Sequence, residues 1–284
     1  MIALTGATGQ LGRLVIDRLL ATLPAAGIVA AVRTPAKAAD LASRGIQVRQ
    51  ADYAQPATLD SALKGVQKLL LISSNEIGQR AVQHRNVIEA ARRQKVGLIV
   101  YTSLLHADVS PLNLAGEHRE TEALLRASGI PFIILRNGWY TENYTGSLKP
   151  ALANGAFYGS AGEGRISSAP RADYAEAAAK ALTSAAQPGR TYELAGDQAY
   201  TLAELAAELS RQAGKTIPYV NIPEADYRAA LLGAGLPDWL ALGLASWDTG
   251  ASQGALFDSS RQLSALLGRP TTPLAAVVAE ALRN

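Results

Sequence analysis

The chain has 284 residues, a formal net charge of +3 and no cysteine. This length suits one large α/β domain or a domain with a smaller lobe, and either can bury a sizeable core. The missing cysteines exclude disulfides, thiolate nucleophiles and cysteine-ligated metals, and the three scattered histidines argue against a zinc site, so we expect no metal.

The basic residues are spread along the chain. The densest cluster, Arg92-Arg93-x-Lys95, is interpreted as a solvated helix end, and we expect no nucleic-acid role. No apolar run approaches the roughly 18 residues that span a bilayer. Residues 2–5 lead straight into a glycine loop, without the pattern of a signal peptide. We therefore expect a cytoplasmic protein without a membrane span.

The first half alternates short apolar runs with amphipathic stretches. Strands are predicted at 1–5, 28–33, 46–52, 68–73, 97–103 and 131–137. Helices are predicted between them at 10–23, 35–44, 58–65, 79–94 and 116–128. Strict alternation with continuously apolar strands indicates an α/β fold, a doubly wound parallel sheet (Rossmann) with helices on both faces.

After about residue 137 the pattern loosens. We predict a glycine-rich loop at 159–165, a helix at 172–186, a strand at 191–196, a helix at 201–214, and short helical pieces at 226–235 and 237–247. No low-complexity linker separates the halves. We therefore divide the chain into a dinucleotide-binding half, 1–136, and a mixed α/β half, 137–284, which completes the sheet and forms a smaller substrate lobe.

The first strand ends in "TGATGQLG", in which Gly6, Gly9 and Gly12 recur at intervals of three. Between a first strand and a first helix, such glycines supply a tight turn, a close approach to a pyrophosphate, and close helix–strand packing. The exposed N–H groups and the positive end of the helix dipole then hold the phosphates. The pattern predicts a dinucleotide site.

The second strand lacks the carboxylate that usually binds the adenosine 2′-hydroxyl. No Asp or Glu occurs from Arg18 to Ala39, and Arg33 stands where the acid is expected. A guanidinium there binds a 2′-phosphate, which favours NADPH; the alternative is that Arg33 is a solvated surface arginine. Lys37 either assists in binding the phosphate or lies on a helix surface. Asp52 and Tyr53 close the third strand near the adenine, where Asp52 is either an adenine acceptor or an ordinary loop aspartate.

Ligands of open α/β sheets bind beyond the carboxyl ends of the strands. The residues there are Ser73-Ser74-Asn75-Glu76, Thr102-Ser103-Leu104 and Asn137-Gly138-Trp139-Tyr140, which we expect at the nicotinamide and substrate end. Each polar group is also a common turn residue. Trp139 and Tyr140 favour a flat, aromatic substrate, although Trp139 equally suits core packing.

Further motifs along the chain are "VRTPAKA", "KLLLISSNEIGQR", "YTSLLHAD", "EHRETEALLRASGIPFIILRNGWYTENY" and "SAPRADYAEAAA". With these motifs the chain resembles the NmrA-like group of atypical short-chain dehydrogenases/reductases, in particular the bacterial type 2 NAD(P)H:quinone oxidoreductases. The resemblance implies a flavin-free enzyme that reduces quinones by direct hydride transfer from NADPH. It leaves the catalytic residues unknown, with Asn137 and Tyr140 as substrate-pocket candidates. The expected cofactor contacts are Gly6, Ala7, Thr8, Gly9, Gln10, Leu11, Gly12, Arg33, Asp52, Tyr53, Ser73, Ser74, Asn75, Asn137, Tyr140, Asn143 and Arg171.

The wider superfamily carries a Tyr-x-x-x-Lys pair that protonates the substrate oxygen. Here His118 stands at the lysine position and Leu114 at the tyrosine position, so the pair is absent. A ketone would yield an alkoxide with a conjugate-acid pKa of about 16, whereas a quinone yields a phenolate near 10. The difference is equivalent to about 8 kcal/mol, which exceeds the ~3–5 kcal/mol of a typical general acid. A quinone therefore needs no positioned proton donor.

Two other functions stay open at this point. Some NmrA-like proteins bind dinucleotide without catalysis and act as redox-sensing regulators through a partner. Related reductases act on other planar, electron-poor acceptors such as triphenylmethane dyes. A homodimer is one option for the assembly, which the sequence leaves undetermined.

Overall fold

The computed structural model describes residues 1–183 and 187–283. The chain divides into two compact units. The first comprises Met1–Asp108, Leu114–Asn137 and Arg171–Leu194, and the second comprises Val109–Asn113, Gly138–Pro170 and Ala195–Asn284. The division predicted from the sequence, 1–136 and 137–284, stays a prediction; the segment 171–194 groups with the first unit.

Nine strands are described. They are β1 (Ile2–Thr5), β2 (Ile28–Val32), β3 (Gln47–Gln50), β4 (Lys68–Leu71), β5 (Leu98–Leu104), β6 (Phe132–Asn137), β7 (Phe157–Gly159), β8 (Thr191–Leu194) and β9 (Tyr219–Asn221). Seven of them form the sheet of the first unit in the order β3-β2-β1-β4-β5-β6-β8, with every neighbouring pair parallel. The predicted doubly wound parallel sheet is confirmed.

The described helices follow the same alternation. They are α1 (Gln10–Leu20), α2 (Ala39–Ser43), α3 (Pro56–Ala62), α4 (Arg80–Arg93), α5 (Ala115–Ala127), α6 (Glu142–Thr145), α7 (Leu148–Asn154), α8 (Arg171–Thr183), α9 (Leu202–Ala213), α10 (Glu224–Gly233), α11 (Asp238–Ser252), α12 (Gln262–Leu267) and α13 (Leu274–Arg283). The last part of the helix predicted at 172–186, residues 184–186, lies outside the described residues. The single helix predicted at 35–44 is wrong: a 3₁₀ turn, Pro35–Ala38, precedes α2 because the backbone of Ala38 is not helical.

The core of the first unit explains the continuous apolar runs of the sequence. Every residue of β2 and β5 is buried, since helices cover both faces of the sheet. Helix α1 buries Leu11, Val15, Ile16 and Leu19, which form one stripe at helical spacing, and it packs against α8. The strands are thereby held so that their carboxyl ends share one edge.

The second unit contains the two-stranded parallel sheet of β7 and β9. Helix α9 begins with a capping box, in which the Thr201 hydroxyl accepts the N–H of Glu204 and the Glu204 carboxylate accepts the N–H of Thr201. Helix α11 carries a buried carboxyl group, Asp248, which is 5% exposed. Among residues 1–183 and 187–283, none of the helices has both the length and the apolar character needed to cross a membrane.

Candidate dinucleotide site

The glycine loop (Gly6–Gly12) joins β1 to α1. Gly6 has φ of +61°, a conformation that L side chains rarely adopt. The N–H of Gly9 donates to the Gly6 carbonyl at 2.9 Å, which closes the turn. A Cβ atom on Gly12 would lie 2.3 Å from the Gly6 oxygen, so a larger residue there would separate the loop from the helix. The turn and the close packing both require glycine.

The beginning of α1 suits an anion. Its N-cap, Gly9, has no side chain, and within the described part of the chain no side-chain hydrogen bond caps this helix. The first turn, Gln10–Arg13, contains no acidic residue. The N–H groups of this turn and the positive end of the helix dipole therefore lie at the glycine loop, in which Gly6 and Gly9 are exposed. Such an arrangement fits a pyrophosphate, as an NAD(P)H cofactor requires.

Arg33 follows β2 directly, as the 2′-phosphate interpretation requires. Its Nη1 donates to Oε1 of Glu76 at 2.7 Å, and the Arg33 side chain is 68% exposed. Glu76 also accepts from Nε2 of Gln83 at 2.6 Å through its other oxygen. These donors lower the pKa of Glu76, so the carboxyl is ionised at neutral pH. Arg33 is thus solvent-accessible and held by an exposed ion pair.

Asp52 has a local role. Its Oδ1 accepts the N–H of Ala54 at 2.9 Å, and its Oδ2 accepts from Nε2 of Gln55 at 3.2 Å. The carboxylate therefore stabilises the turn after β3, in agreement with the loop-aspartate alternative. The hydroxyl of Tyr53 donates to the carbonyl of Ile72 at 3.1 Å. Contacts of Asp52 and Tyr53 with adenine stay predictions.

The β4 turn (Ile72–Ser74) is held by side chains from three elements. The N–H of Ile72 donates to the Thr5 hydroxyl at 3.1 Å, that of Ser73 to the Thr102 hydroxyl at 2.9 Å, and that of Ser74 to Nε2 of His84 at 2.9 Å. Three successive amides are therefore bound by β1, β5 and α4. The turn, which carries the predicted contacts Ser73 and Ser74 and precedes Asn75, has a fixed backbone.

Helix α4 holds the other side of Ser74 as well. The Nε of Arg80 donates to the Ser74 carbonyl at 2.8 Å, and the Arg80 residue is 6% exposed. Because Nε2 of His84 accepts a backbone N–H, its Nδ1 carries the proton and donates to the Thr121 hydroxyl at 2.9 Å. Burial, together with the Arg80 charge, lowers the pKa of His84 to about 3. His84 is a neutral positioning group.

His118 contacts the same Arg80 and stands in the register of the missing lysine. It is 5% exposed; its Nε2 lies 3.3 Å from Nη1 of Arg80, and its Nδ1 lies 2.7 Å from the Tyr101 hydroxyl. Arg80 can only donate, so Nε2 accepts and Nδ1–H donates to Tyr101. Burial and the Arg80 charge lower the pKa of His118 well below its usual value. Leu114 is the N-cap of α5 and offers no proton. This register therefore contains no proton donor at neutral pH.

Asn137 is the last residue of β6 and is 6% exposed. Its carbonyl accepts the N–H of Leu105 at 3.0 Å. The preceding Arg136 is buried and donates to both carboxylate oxygens of Glu122 at 2.9 Å and to Glu193 at 2.8 Å. These bonds raise the pKa of Arg136 and fix the end of β6. The structure therefore holds Asn137 rigidly at the carboxyl edge of the sheet.

The remaining predicted contacts lie in different parts of the chain. Arg171 begins α8 in the first unit and is partly buried. Tyr140 and Asn143 belong to the second unit, where the N–H of Asn143 donates to the Tyr140 carbonyl at 3.0 Å. Trp139, in the same unit, is 8% exposed and packs edge-on against Trp247 with ring centroids 5.5 Å apart. That contact supports the core-packing alternative for Trp139.

Four positioning residues did not emerge from the sequence as functional: Thr5, Arg80, His84 and Thr121. Their contacts join residues 6 to 67 positions apart. No local spacing rule connects such partners, although a histidine on the buried face of a predicted helix was a usable signal for His84.

Comparisons with known proteins place the chain among NAD(P)H-binding proteins. A family model described as NAD(P)H-binding matches residues 6–185. Quinone oxidoreductase 2 of Escherichia coli (strain K12) is 62% identical over 275 residues, which cover 97% of this chain and 96% of that protein. The crystal structure of NADPH-dependent quinone oxidoreductase complexed with NADPH, from the same species, has a TM-score of 0.97 at 60% identity and full coverage of both chains. Triphenylmethane reductase of Citrobacter sp. complexed with NADP(H) has a TM-score of 0.96 at 39% identity, covering 99% of this chain and 100% of that one.

Proposed function

This chain belongs to the NAD(P)H-binding family, and we propose that it is an NADPH-dependent quinone oxidoreductase that transfers a hydride directly to a quinone. The resemblance inferred from the motifs is confirmed by 62% identity across 97% of the chain. NADPH as the cofactor is supported by the NADPH complex of the similar E. coli structure.

The first unit supplies the groups that hold this cofactor. The glycine loop and the uncapped N-terminus of α1 bind the pyrophosphate, and Arg33 binds the 2′-phosphate. The β4 turn, fixed by Thr5, Thr102 and His84, provides a rigid contact for the cofactor. When bound, NADPH supplies the hydride.

The observation that carries the choice of substrate is the state of His118. Both ring nitrogens are engaged and its pKa is lowered well below neutrality, so it gives no proton to a reduced substrate. Leu114 stands where a tyrosine would donate. Substrates whose reduced form is stable as an anion suit such a site, and hydroquinones are of this kind. Water supplies the proton afterwards.

The substrate end stays less defined. We propose Asn137 and Tyr140 as groups of the quinone pocket, with Asn143 and Arg171 completing the cofactor contacts. Asn137 offers an amide at a rigid strand end, which suits the stabilisation of a developing oxyanion. The cytoplasmic location and the homodimer stay predictions.

An acceptor comparison tests the function. The purified chain is mixed with NADPH and 1,4-benzoquinone, a triphenylmethane dye such as malachite green, or no acceptor, and NADPH absorbance is followed. We expect quinone-dependent oxidation that exceeds oxidation with the dye.

Faster dye reduction would assign the chain to the triphenylmethane reductase activity of its 39% identical structural relative. Binding of NADPH without any acceptor-dependent oxidation would instead indicate a redox-sensing regulator. The 62% identity to an oxidoreductase does not favour that alternative.

A further inference from the structure

We propose that Glu76 competes with the cofactor's 2′-phosphate for Arg33 and so narrows the enzyme's preference for NADPH over NADH. The inference rests on the proposed function, because it takes Arg33 as the phosphate-binding residue. Glu76 is then a specificity-determining residue that acts through Arg33.

The Arg33–Glu76 pair crosses the cofactor site. Arg33 follows β2, Glu76 follows β4, and β1 lies between these strands in the sheet. A direct contact of 2.7 Å between the two side chains therefore passes over the carboxyl end of β1, where the glycine loop begins. A dinucleotide that lies on this loop meets the pair.

Of the two partners, Glu76 is the fixed one. Its second oxygen accepts from the amide of Gln83 at 2.6 Å, and its N–H donates to the Ser74 hydroxyl at 3.2 Å. Gln83 is 8% exposed and accepts from the same hydroxyl. Arg33 reaches Glu76 through one nitrogen only and is 68% exposed. When a phosphate arrives, Arg33 is therefore the side chain that moves, and the carboxylate stays beside it.

Only NADPH replaces Glu76 as the partner of Arg33. A phosphate takes a guanidinium in bidentate fashion and carries more charge than one carboxylate, so it displaces Glu76. The displacement costs the ion pair and leaves a fixed negative charge near the phosphate. NADH has a hydroxyl at that position and leaves the pair intact. Weaker NADP(H) binding also hastens cofactor exchange, because affinity differences reside mostly in dissociation rates.

Glu76→Gln tests the proposal, because glutamine keeps the hydrogen-bonding shape and removes the charge. Exposed ion pairs contribute only a small interaction free energy. The Kd for NADPH should therefore fall by about two- to fivefold, while the Kd for NADH stays unchanged. Both are measured by fluorescence titration at low ionic strength. The NADPH effect should shrink at high salt, because these charges are exposed.

Two controls accompany this variant. Glu89→Gln removes the same charge from an exposed position of α4 and should change neither Kd. In an Arg33→Ala background, Glu76→Gln should lose most of its effect on NADPH, because the group for which it competes is gone.

Weaker NADPH binding in Glu76→Gln would show that Glu76 orients Arg33 and would overturn the proposal. Equal tightening of NADPH and NADH would do the same, since it would reveal a general charge effect. If Arg33→Ala discriminates between the cofactors and Glu76→Gln does not, only the competition fails. If Arg33→Ala weakens NADPH and NADH alike, the phosphate assignment of the proposed function fails, and the competition with it.

Discussion

The imidazole of His84 accepts the backbone N–H of Ser74 at 2.9 Å and thereby fixes the turn after the central strand β4. The other ring nitrogen donates to Thr121 on α5, so α4 and α5 hold the turn through one neutral side chain. We expect this contact to maintain cofactor affinity, since it keeps the β4 turn in one geometry.

Replacing this imidazole should therefore impair both binding and stability. His84→Leu leaves the Ser74 N–H without its partner, at a cost of about 1–3 kcal/mol while that buried group stays unpaired. The Thr121 hydroxyl loses the imidazole but still donates to the Glu117 carbonyl at 2.9 Å. The KM for NADPH should rise and the unfolding midpoint in urea should fall. His84→Gln, whose amide oxygen can accept from Ser74, should restore part of both; a wild-type KM in His84→Leu would refute the positioning role.

His118 should be dispensable for the chemical step. His118→Ala removes a buried neutral group, so quinone turnover should stay within about tenfold of the wild type even though stability decreases. The wild type should also show no inflection in kcat from His118 between pH 6 and 9, because its folded pKa lies well below that range. A loss of more than about a hundredfold in kcat, in a variant that still binds NADPH, would reject the account without a general acid.

Arg33 should discriminate between the two cofactors. Arg33→Ala removes a charge-assisted contact with the 2′-phosphate worth roughly 1.5–3 kcal/mol, so the KM for NADPH should rise about ten- to a hundredfold. The KM for NADH should change little. Arg44→Ala, which removes another exposed, ion-paired arginine of the first unit, is the matched control. Similar increases for NADPH and NADH would contradict the assignment.

Asp248 should make the folded chain less stable as the pH rises. Burial raises its pKa to about 6, although its carboxylate accepts the N–H of Ser160 at 3.0 Å. Between about pH 4 and 6 the folded state keeps a proton that the unfolded state, with a pKa near 3.9, has lost. The protonated Asp248 therefore contributes its full stabilisation below about pH 4, and this contribution is lost by about pH 6. The free energy of unfolding should decrease by about 3 kcal/mol over this range.

Asp248→Asn should remove that dependence. At pH 8 the variant should unfold at higher urea concentration than the wild type, whereas at pH 4 the two should be similar. Asp226→Asn, at an exposed position of α10, serves as the control and should leave the urea midpoint unchanged at both pH values. A destabilised Asp248→Asn at pH 8 would show that the charged carboxylate is preferred in the folded state.

The sequence predicted the first unit well because its signals are local. Glycines at intervals of three, apolar strands and the basic Arg33 are readable within short windows, and β1 to β6 and β8 appear where they were expected. The second unit was harder, because α6, α7, β7 and β9 are only 3 to 7 residues long and carry little periodicity.

The electrostatic state of the site was also beyond the sequence. The pairing of Glu76 with Arg33, and the burial of His118 beside the Arg80 charge that keeps it neutral, depend on contacts between residues 43 and 38 positions apart. The sequence did reveal that His118 and Leu114 replace the usual proton-donating pair, since that register lies within one helix.

The most direct test of the account is a single-turnover reaction of 1,4-benzoquinone with enzyme-bound NADPH, unlabelled or deuterated at both C4 positions, in protein freed of flavin. Direct hydride transfer predicts quinone-dependent oxidation without added flavin, and a primary isotope effect on its rate. Oxidation that requires added flavin, or the absence of any quinone-dependent oxidation, would contradict it.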